Sequence, residues 1–220
     1  MKRAYSVRNV IDAKFRTLDF GGEWLEAVGK PELGGSWMIY GAPKNGKTSL
    51  AMQLARYLTG FCRVAYDSVE EGLSLSIQNC VGRTFGGSGT RRFMLLDKEN
   101  VEELTERLSR RSGSPDAVVV DSVQFLGLRW EEYKGLVERF PHKLFVFVSH
   151  VDGNQPEGRV ARKIWRDANV YIRVEGFRGF PVGRYGGGEP IDICPERAEA
   201  YWGAGRAAAG TYGKQPAYNK

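Results

Sequence analysis

Short apolar runs alternate along the chain with longer segments in which apolar residues recur every three or four positions. The runs are rich in Val, Ile, Phe and Tyr, and the one that begins at Ala117 is almost uninterrupted, which is typical of a strand buried on both faces. Six runs predict strands, in the sequences GGSWMIYGAP, RVAYDS, RRFMLLD, AVVVDSVQFL, KLFVFVSH and NVYIRVEGF.

The segments between these runs predict amphipathic helices. In GLSLSIQNCVGRTF, the helical spacing turns Leu73, Ile77 and Val81 inward, and NVEELTERLSRR and WEEYKGLVERF are further helices. Strands that alternate with helices imply βαβ units, so we expect an α/β fold: a three-layer core with a mainly parallel twisted sheet flanked by helices. The apolar face of KTSLAMQLARYL carries Leu50, Ala51, Leu54, Ala55 and Leu58.

Three regions are expected along the chain. Residues 1–33 mix charges and aromatic rings without a clean period, and we interpret them as an N-terminal arm or subunit-contact segment. Residues 34–204 form the core, and residues 205–220 carry little apolar periodicity, which predicts a disordered tail. No apolar stretch approaches the length of a membrane span or a signal-peptide core, so we expect a cytoplasmic protein without a membrane partner.

Composition narrows the chemistry. Three widely spaced cysteines form neither a disulfide framework nor a zinc pattern, and two histidines leave little material for a histidine-based metal site. The formal net charge of +6 suits a nucleic-acid partner, although many proteins of this balance bind none.

The sequence GAPKNGKT matches the phosphate-loop pattern G-x-x-x-x-G-K-[ST], with a strand before it and a helix after it. Its glycines let the backbone curl so that amide hydrogens converge on phosphate oxygens at a helix N-terminus. Lys47 is predicted to neutralise the β- and γ-phosphates of ATP, and the Thr48 hydroxyl to bind Mg²⁺. The residues predicted to hold the nucleotide are Gly41, Ala42, Pro43, Lys44, Asn45, Gly46, Lys47, Thr48 and Ser49.

A second motif is AVVVDSVQF, in which Asp121 ends a buried strand. A carboxylate there can hold a Mg²⁺-bound water, as the Walker B acid does; the alternative is an Asp that caps the next turn. Gln124 follows, and either senses the γ-phosphate or sits on a polar surface.

Four stretches together resemble the RecA-like ATPases: GAPKNGKTSLAMQLA, VAYDSVEEG, VVVDSVQFL and FVFVSHVDG. Within that superfamily the resemblance is nearest to the RadA/Sms repair ATPases, with DnaB-type helicases and KaiC more distant, and it runs from residue 34 to residue 176. It implies a RecA core that binds ATP and Mg²⁺ between neighbouring subunits of a filament or a ring, with a hexamer as the expected ring.

The resemblance also implies roles for acidic and polar residues. The family's catalytic glutamate corresponds to Glu70, which would orient or deprotonate the attacking water, with Glu71 as a helper. The alternative is an acidic first turn of the next helix. Ser149 and His150 stand where the family carries a polar γ-phosphate sensor.

Basic residues complete the implied site. The loop after His150 would face single-stranded DNA, and its candidates could equally be a solvated basic helix face. Arg178 and Arg184 correspond to arginine fingers that reach the neighbour's γ-phosphate, although a glycine-rich surface turn is the alternative. The DNA-contacting candidates are Arg159, Arg162, Lys163 and Arg166.

These features predict a Mg²⁺-dependent ATPase acting on single-stranded DNA, as a helicase, a translocase or a recombination accessory, with a possible replication or recombination protein as partner. The zinc, protease-like and primase-binding elements of the relatives were not found, which suggests a phage or mobile-element accessory. The alternatives are a KaiC-like regulatory ATPase and a loader, both with a protein partner.

Overall fold

The computed structural model describes residues 4–203, which form one sheet flanked by helices. No helix in this part of the chain is both long and apolar enough to cross a lipid bilayer. The strands are β1 Ser36–Gly41, β2 Val64–Ser68, β3 Phe93–Leu96, β4 Ala117–Asp121, β5 Leu144–Ser149, β6 Val151–Asp152, β7 Gln155–Pro156, β8 Val170–Glu175, β9 Arg178–Gly183 and β10 Ile191–Asp192. The helices are α1 Val7–Ile11, α2 Gly22–Val28, α3 Lys47–Leu58, α4 Leu75–Phe85, α5 Val101–Ser109, α6 Val123–Leu126, α7 Trp130–Arg139, α8 Arg159–Asp167 and α9 Pro195–Trp202.

The main sheet has the strand order β10-β9-β8-β1-β5-β4-β2-β3. The strands from β8 to β3 in this order are parallel, and β9 and β10 add antiparallel strands at one edge. The mainly parallel α/β architecture predicted from the sequence is confirmed. Because the chain moves from β1 to β2 across two intervening strands, the sheet has a switch point beside β1, where open α/β sheets bind ligands.

Strand β4 explains the uninterrupted apolar run. Val119 packs with α3 and α4 in one core, whereas Val118 and Val120 pack with α5 and α7 in the other. All three side chains are fully buried. Alternate residues of a strand point to opposite faces, so a strand covered on both faces needs apolar residues throughout.

Helix α4 differs from its prediction at its start. Ser74 caps it, accepting a hydrogen bond from the Ile77 amide at 3.3 Å, so that Leu73 precedes the helix and is 74% exposed. The prediction of an inward Leu73 is wrong, because the cap shifts the helical face. Ile77 is buried, and Val81 packs partly against the core, as predicted.

The N-terminal segment contains two different parts. Residues 4–15 are exposed, whereas Leu18, Phe20 and Trp24 are buried with α3. Backbone hydrogen bonds from Leu18 to the Pro31 carbonyl and from Leu33 to the Arg16 carbonyl hold the second part. Whether this segment contacts another subunit stays a prediction, and the predicted tail at residues 205–220 lies outside the described residues.

Candidate nucleotide site

The phosphate loop lies at the carboxyl edge of the sheet, between β1 and α3. A Cβ on Gly41 would lie 2.2 Å from the Val174 carbonyl oxygen, so only glycine allows β1 to pass β8 here. Gly46 has φ +102°, a conformation that side chains other than glycine's rarely adopt. The Asn45 side chain accepts a hydrogen bond from the Gly176 amide at 2.8 Å, which fixes the loop to the turn between β8 and β9.

Lys47 is the first residue of α3 and points back over the loop. Its Nζ donates to the Ala42 carbonyl at 3.0 Å, and only 8% of the residue is exposed. Burial lowers the pKa of Lys47, while the carboxylates of Asp121 and Glu70 raise it. Phosphate oxygens would add further negative charge, so a bound triphosphate stabilises the protonated form.

Oxygen atoms suited to Mg²⁺ meet between α3 and β4. Thr48 Oγ1 donates to Asp121 Oδ2 at 2.9 Å, and the Tyr66 hydroxyl donates to the same oxygen at 2.6 Å. Burial raises the pKa of Asp121, whereas the two hydrogen bonds lower it. Hydroxyl and carboxylate oxygens fit Mg²⁺, which takes one or two protein ligands and completes its shell with phosphate and water. Residues 4–203 contain no group of three or more His, Cys, Asp or Glu arranged for a metal, which agrees with such a shared shell.

The Glu70 carboxylate faces this centre. The Glu70 amide donates to the Asp121 carbonyl at 3.0 Å, which brings the end of β2 against the end of β4. Ser122 Oγ donates to Glu70 Oε2 at 3.3 Å, and His150 Nε2 lies 3.1 Å from the same oxygen. Both partners hold one oxygen of the carboxylate, so the other remains for a water molecule.

Glu71 has a different role in the structure. Its Oε2 accepts hydrogen bonds from the hydroxyls of Ser74, at 3.3 Å, and Ser76. These two residues lie at the start of α4, so the carboxylate sits by the positive end of the helix dipole.

Gln124 lies between β5 and the loop that leads to α8. Its Nε2 donates to Ser149 Oγ at 2.8 Å and to the Glu157 carbonyl at 3.0 Å, and its Oε1 accepts from the His150 amide at 3.3 Å. The side chain therefore joins the neighbour of Glu70 to the segment just before α8.

The cleft around these groups has a volume of about 710 Å³. Two of its lining residues were missed by sequence reasoning: Phe177, in the turn between β8 and β9, and Arg197, on α9. The guanidinium carbon of Arg197 lies 3.6 Å from the centroid of the Phe177 ring. No motif marked them, because they come together only through the fold. Among the predicted residues, the lining includes Pro43, Lys44, Gly46, Lys47, Thr48, Ser49, Glu70, Asp121 and His150.

The basic candidates lie on one face of α8. Their spacing of three, four and seven residues puts them on one stripe, opposite the buried Ala161 and Ile164. Lys163 Nζ lies 5.1 Å from the centroid of the Trp130 ring. The stripe, named here the α8 stripe, consists of Arg159, Arg162, Lys163 and Arg166.

The two candidate arginine fingers lie at opposite edges of the sheet. Arg178 begins β9 at the carboxyl edge, where Asp192 on β10 binds its Nε and Nη2. Arg184 follows β9 at the amino edge, where its amide donates to the Asn169 carbonyl at 3.1 Å. Only Arg178 lies on the edge that carries this chain's own phosphate loop, so Arg184 can act only on a neighbouring copy.

Two solved structures have a similar fold. The flagellar accessory protein FlaH from Methanocaldococcus jannaschii gives a TM-score of 0.53 and 17% identity, with 81% of this chain and 94% of that chain covered. The ATPase domain of a DnaB-like helicase gives a TM-score of 0.53 and 12% identity, with 76% of this chain and 84% of that chain covered. No protein-family model and no curated protein matches the chain in sequence.

At these identities, the comparisons concern the fold. They confirm the prediction of a RecA-like P-loop α/β fold. The subgroup, whether RadA/Sms, DnaB-type or KaiC, stays a prediction.

Proposed function

We propose that this protein is a Mg²⁺-dependent ATPase that acts on single-stranded DNA as a ring or filament. The observation that carries the proposal is the convergence of Lys47, the Thr48–Asp121 pair and the Glu70–His150 pair in one cleft. In that order, they supply three parts of phosphoryl transfer: charge neutralisation, metal coordination and water activation. One of the two fold neighbours is itself an ATPase domain.

In the proposed reaction, a water oxygen forms a bond to the γ-phosphorus while the bond to the β,γ-bridging oxygen breaks. Glu70 accepts the water proton, and ADP leaves with the electron pair of the broken bond. Lys47 and the loop amides stabilise charge on the phosphate oxygens. Mg²⁺ held by Thr48 and Asp121 would neutralise the β- and γ-oxygens. His150 holds Glu70 in place and donates to the γ-phosphate once the carboxylate turns to the water.

The proposed DNA contact is the α8 stripe. Lys and Arg engage backbone phosphates without reading sequence, as an ATPase that moves along a strand requires. Gln124 supports a link to the cleft, because one side chain bonds both Ser149 beside His150 and the Glu157 carbonyl just before α8. A change around the γ-phosphate is therefore transmitted to the helix that carries the stripe.

The test compares ATP turnover with and without single-stranded DNA in the wild type and in the α8 variant, which carries Arg159→Gln, Lys163→Gln and Arg166→Gln. We expect DNA to raise wild-type turnover several-fold, salt to suppress that stimulation, and the α8 variant to lose it while keeping basal turnover. Turnover that ignores DNA in the wild type rejects the DNA-acting function.

A second candidate is a regulatory or loader ATPase whose partner is a protein. The exposed apolar side chains of the N-terminal segment favour it, since such side chains suit a protein interface. For this candidate, we expect turnover to be independent of DNA and to change with assembly or with the protein partner, which includes a replication or recombination protein. The exposed side chains are Tyr5, Val7, Val10, Ile11 and Phe15.

A further inference from the structure

A row of basic residues lies at the amino edge of the sheet, opposite the nucleotide cleft. Val64 is in register with Phe93 on one side and Ala117 on the other, and Ala117 is in register with Leu144. The residues immediately before these four partners therefore line up along the edge at the strand spacing of about 4.8 Å. In spatial order they are Arg92, Arg63, Asp116 and Lys143.

Neutral oxygens, not carboxylates, hold the anchored members of this row. Arg92 Nη1 donates to the carbonyls of Thr59 and Gly60 at 3.3 and 3.2 Å. Lys143 Nζ donates to Ser114 Oγ at 2.8 Å and to the Pro115 carbonyl. These contacts orient the cations without neutralising them, so the positive charge remains available to a partner.

Helix ends add further cations to the same edge. Arg139 at the end of α7 donates through Nη2 to Ser109 Oγ at the end of α5, at 3.2 Å. Ser114 Oγ donates to the Leu108 carbonyl, which holds the loop carrying Arg110 and Arg111 against the row. Each helix C-terminus contributes only about half a negative charge, which does not cancel the arginines.

The acids at this edge are already engaged. Asp116 lies 3.3 Å from Arg16, and Glu106 lies 3.7 Å from Arg110. In contrast, the exposed side chains of Arg63, Arg91 and Arg111 have no hydrogen-bond or ion-pair partner among residues 4–203. The edge therefore presents cations that no intramolecular carboxylate satisfies.

We propose that this amino edge is a second binding surface, which takes the phosphate backbone of a nucleic acid. The surface is distinct from both the nucleotide cleft and the α8 stripe, and it does not depend on the ATPase proposal. A protein interface normally has an apolar centre, and a membrane-bound surface buries apolar side chains. Between residues 63 and 143, the exposed large apolar side chains are Leu73, Leu75 and Phe125, which follow β2 and β4 at the carboxyl edge. A partner whose contacts are nearly all charges, such as a phosphate backbone, fits the amino edge better.

The experiment measures binding of a labelled oligothymidylate by fluorescence anisotropy as a function of salt. The edge variant carries Arg63→Gln, Arg91→Gln and Arg111→Gln, which remove three exposed charges and no intramolecular bond. The α8 variant removes the same number of charges elsewhere and serves as its matched control. Because the α8 stripe would also bind DNA, the edge substitutions are introduced both alone and in the α8 variant.

We expect the α8 variant to retain salt-sensitive binding and the added edge substitutions to weaken that binding at least about tenfold at low salt. The slope of log affinity against log salt should become shallower by about 2, at roughly 0.7 for each lost phosphate contact. Unchanged ATP turnover and an unchanged unfolding midpoint in the edge variant would confirm that the cleft and fold are intact.

Three results overturn the proposal. The first is equal oligothymidylate affinity and salt slope with and without the edge substitutions in the α8 variant. The second is loss of all binding in the α8 variant itself, and the third is binding of the edge only to vesicles containing anionic lipid. None of these results bears on DNA-stimulated turnover, so failure of this proposal is distinguishable from failure of the proposed ATPase function.

Discussion

Glu70 and Glu71 are neighbours in sequence but have different partners. Glu70 faces Ser122 and His150 at the ends of β4 and β5, whereas Glu71 accepts from Ser74 and Ser76 at the start of α4. The sequence predicted that one of these acids activates water, on a resemblance to known ATPases. It left open the separation between them, because their partners come from strands far apart in the chain.

Replacement of Glu70 by Gln should lower ATP turnover about 100-fold or more while ATP still binds, since a neutral amide cannot accept the water proton. The measurement pairs single-turnover hydrolysis with equilibrium binding of ATP. Glu71→Gln is the matched control, with the same chemical change one residue away, and should alter turnover by less than about threefold, since Glu71 meets only the hydroxyls of α4. The reverse ranking of the two variants would assign the water-activating role to Glu71.

At the scale of elements, the sequence predicted those built from long periodic segments and missed the last hairpin. Strand β9 contains Pro181 and glycines at both ends, which argue against a strand in the sequence. Its neighbour β10 pairs only with Arg178 and Gly179, so Pro181 lies where β9 has no partner on that side. A proline without an N–H is tolerated there, and this local fact depends on the three-dimensional pairing.

The missed hairpin also brings an aromatic ring to the cleft. Phe177 has φ +60° in the turn, and Gly176 before it has φ +53° with the Tyr201 ring 2.2 Å from where a Cβ would lie. The turn is therefore held in one conformation that presents Phe177, backed by Arg197, to the space beside the phosphate loop. A flat ring backed by a guanidinium is a surface on which a nucleobase stacks.

Truncation of Phe177 to Ala should weaken ATP binding by about 10- to 100-fold, the loss of one base–aromatic stacking contact. Inorganic tripolyphosphate supplies the control ligand, because it carries the phosphate charges without a base. Its affinity should change less than about twofold, since Lys47 and the loop amides are untouched. Calorimetric titration of both ligands checks this, and an equal loss for ATP and tripolyphosphate would mean that the substitution disturbs the phosphate loop instead.

At the scale of the molecule, the parallel sheet collects functional side chains from strands scattered through the sequence. The carboxyl ends of β1, β2, β4 and β5 meet at one edge, and they bring the phosphate loop, Glu70, Asp121 and His150 together. The alternation of apolar runs predicted the layers but not the strand order, because each strand is equally apolar. Assembly of several copies remains a prediction, and Arg178 and Arg184 are the residues through which it is testable.

Mixing of two inactive variants tests whether Arg184 completes the site of a neighbouring copy. Lys47→Ala disables the phosphate loop, and Arg184→Ala disables the proposed finger. If the finger acts in trans, an intact loop from one variant meets an intact finger from the other, and the mixture regains turnover that neither variant has alone. With random assembly from equal amounts, about a quarter of the sites would be intact.

The control mixture combines Lys47→Ala with Glu70→Gln. Both residues line the same cleft of one chain, so every site in this mixture contains one defect and no turnover should return. The same pair of mixtures made with Arg178→Ala tests the other candidate, whose guanidinium Asp192 already holds. Recovery with Arg184→Ala but not with Arg178→Ala identifies the finger, because Asp192 then keeps Arg178 in a structural role. Absence of recovery with both, under conditions where light scattering shows mixed assemblies, means that neither arginine acts across a subunit boundary.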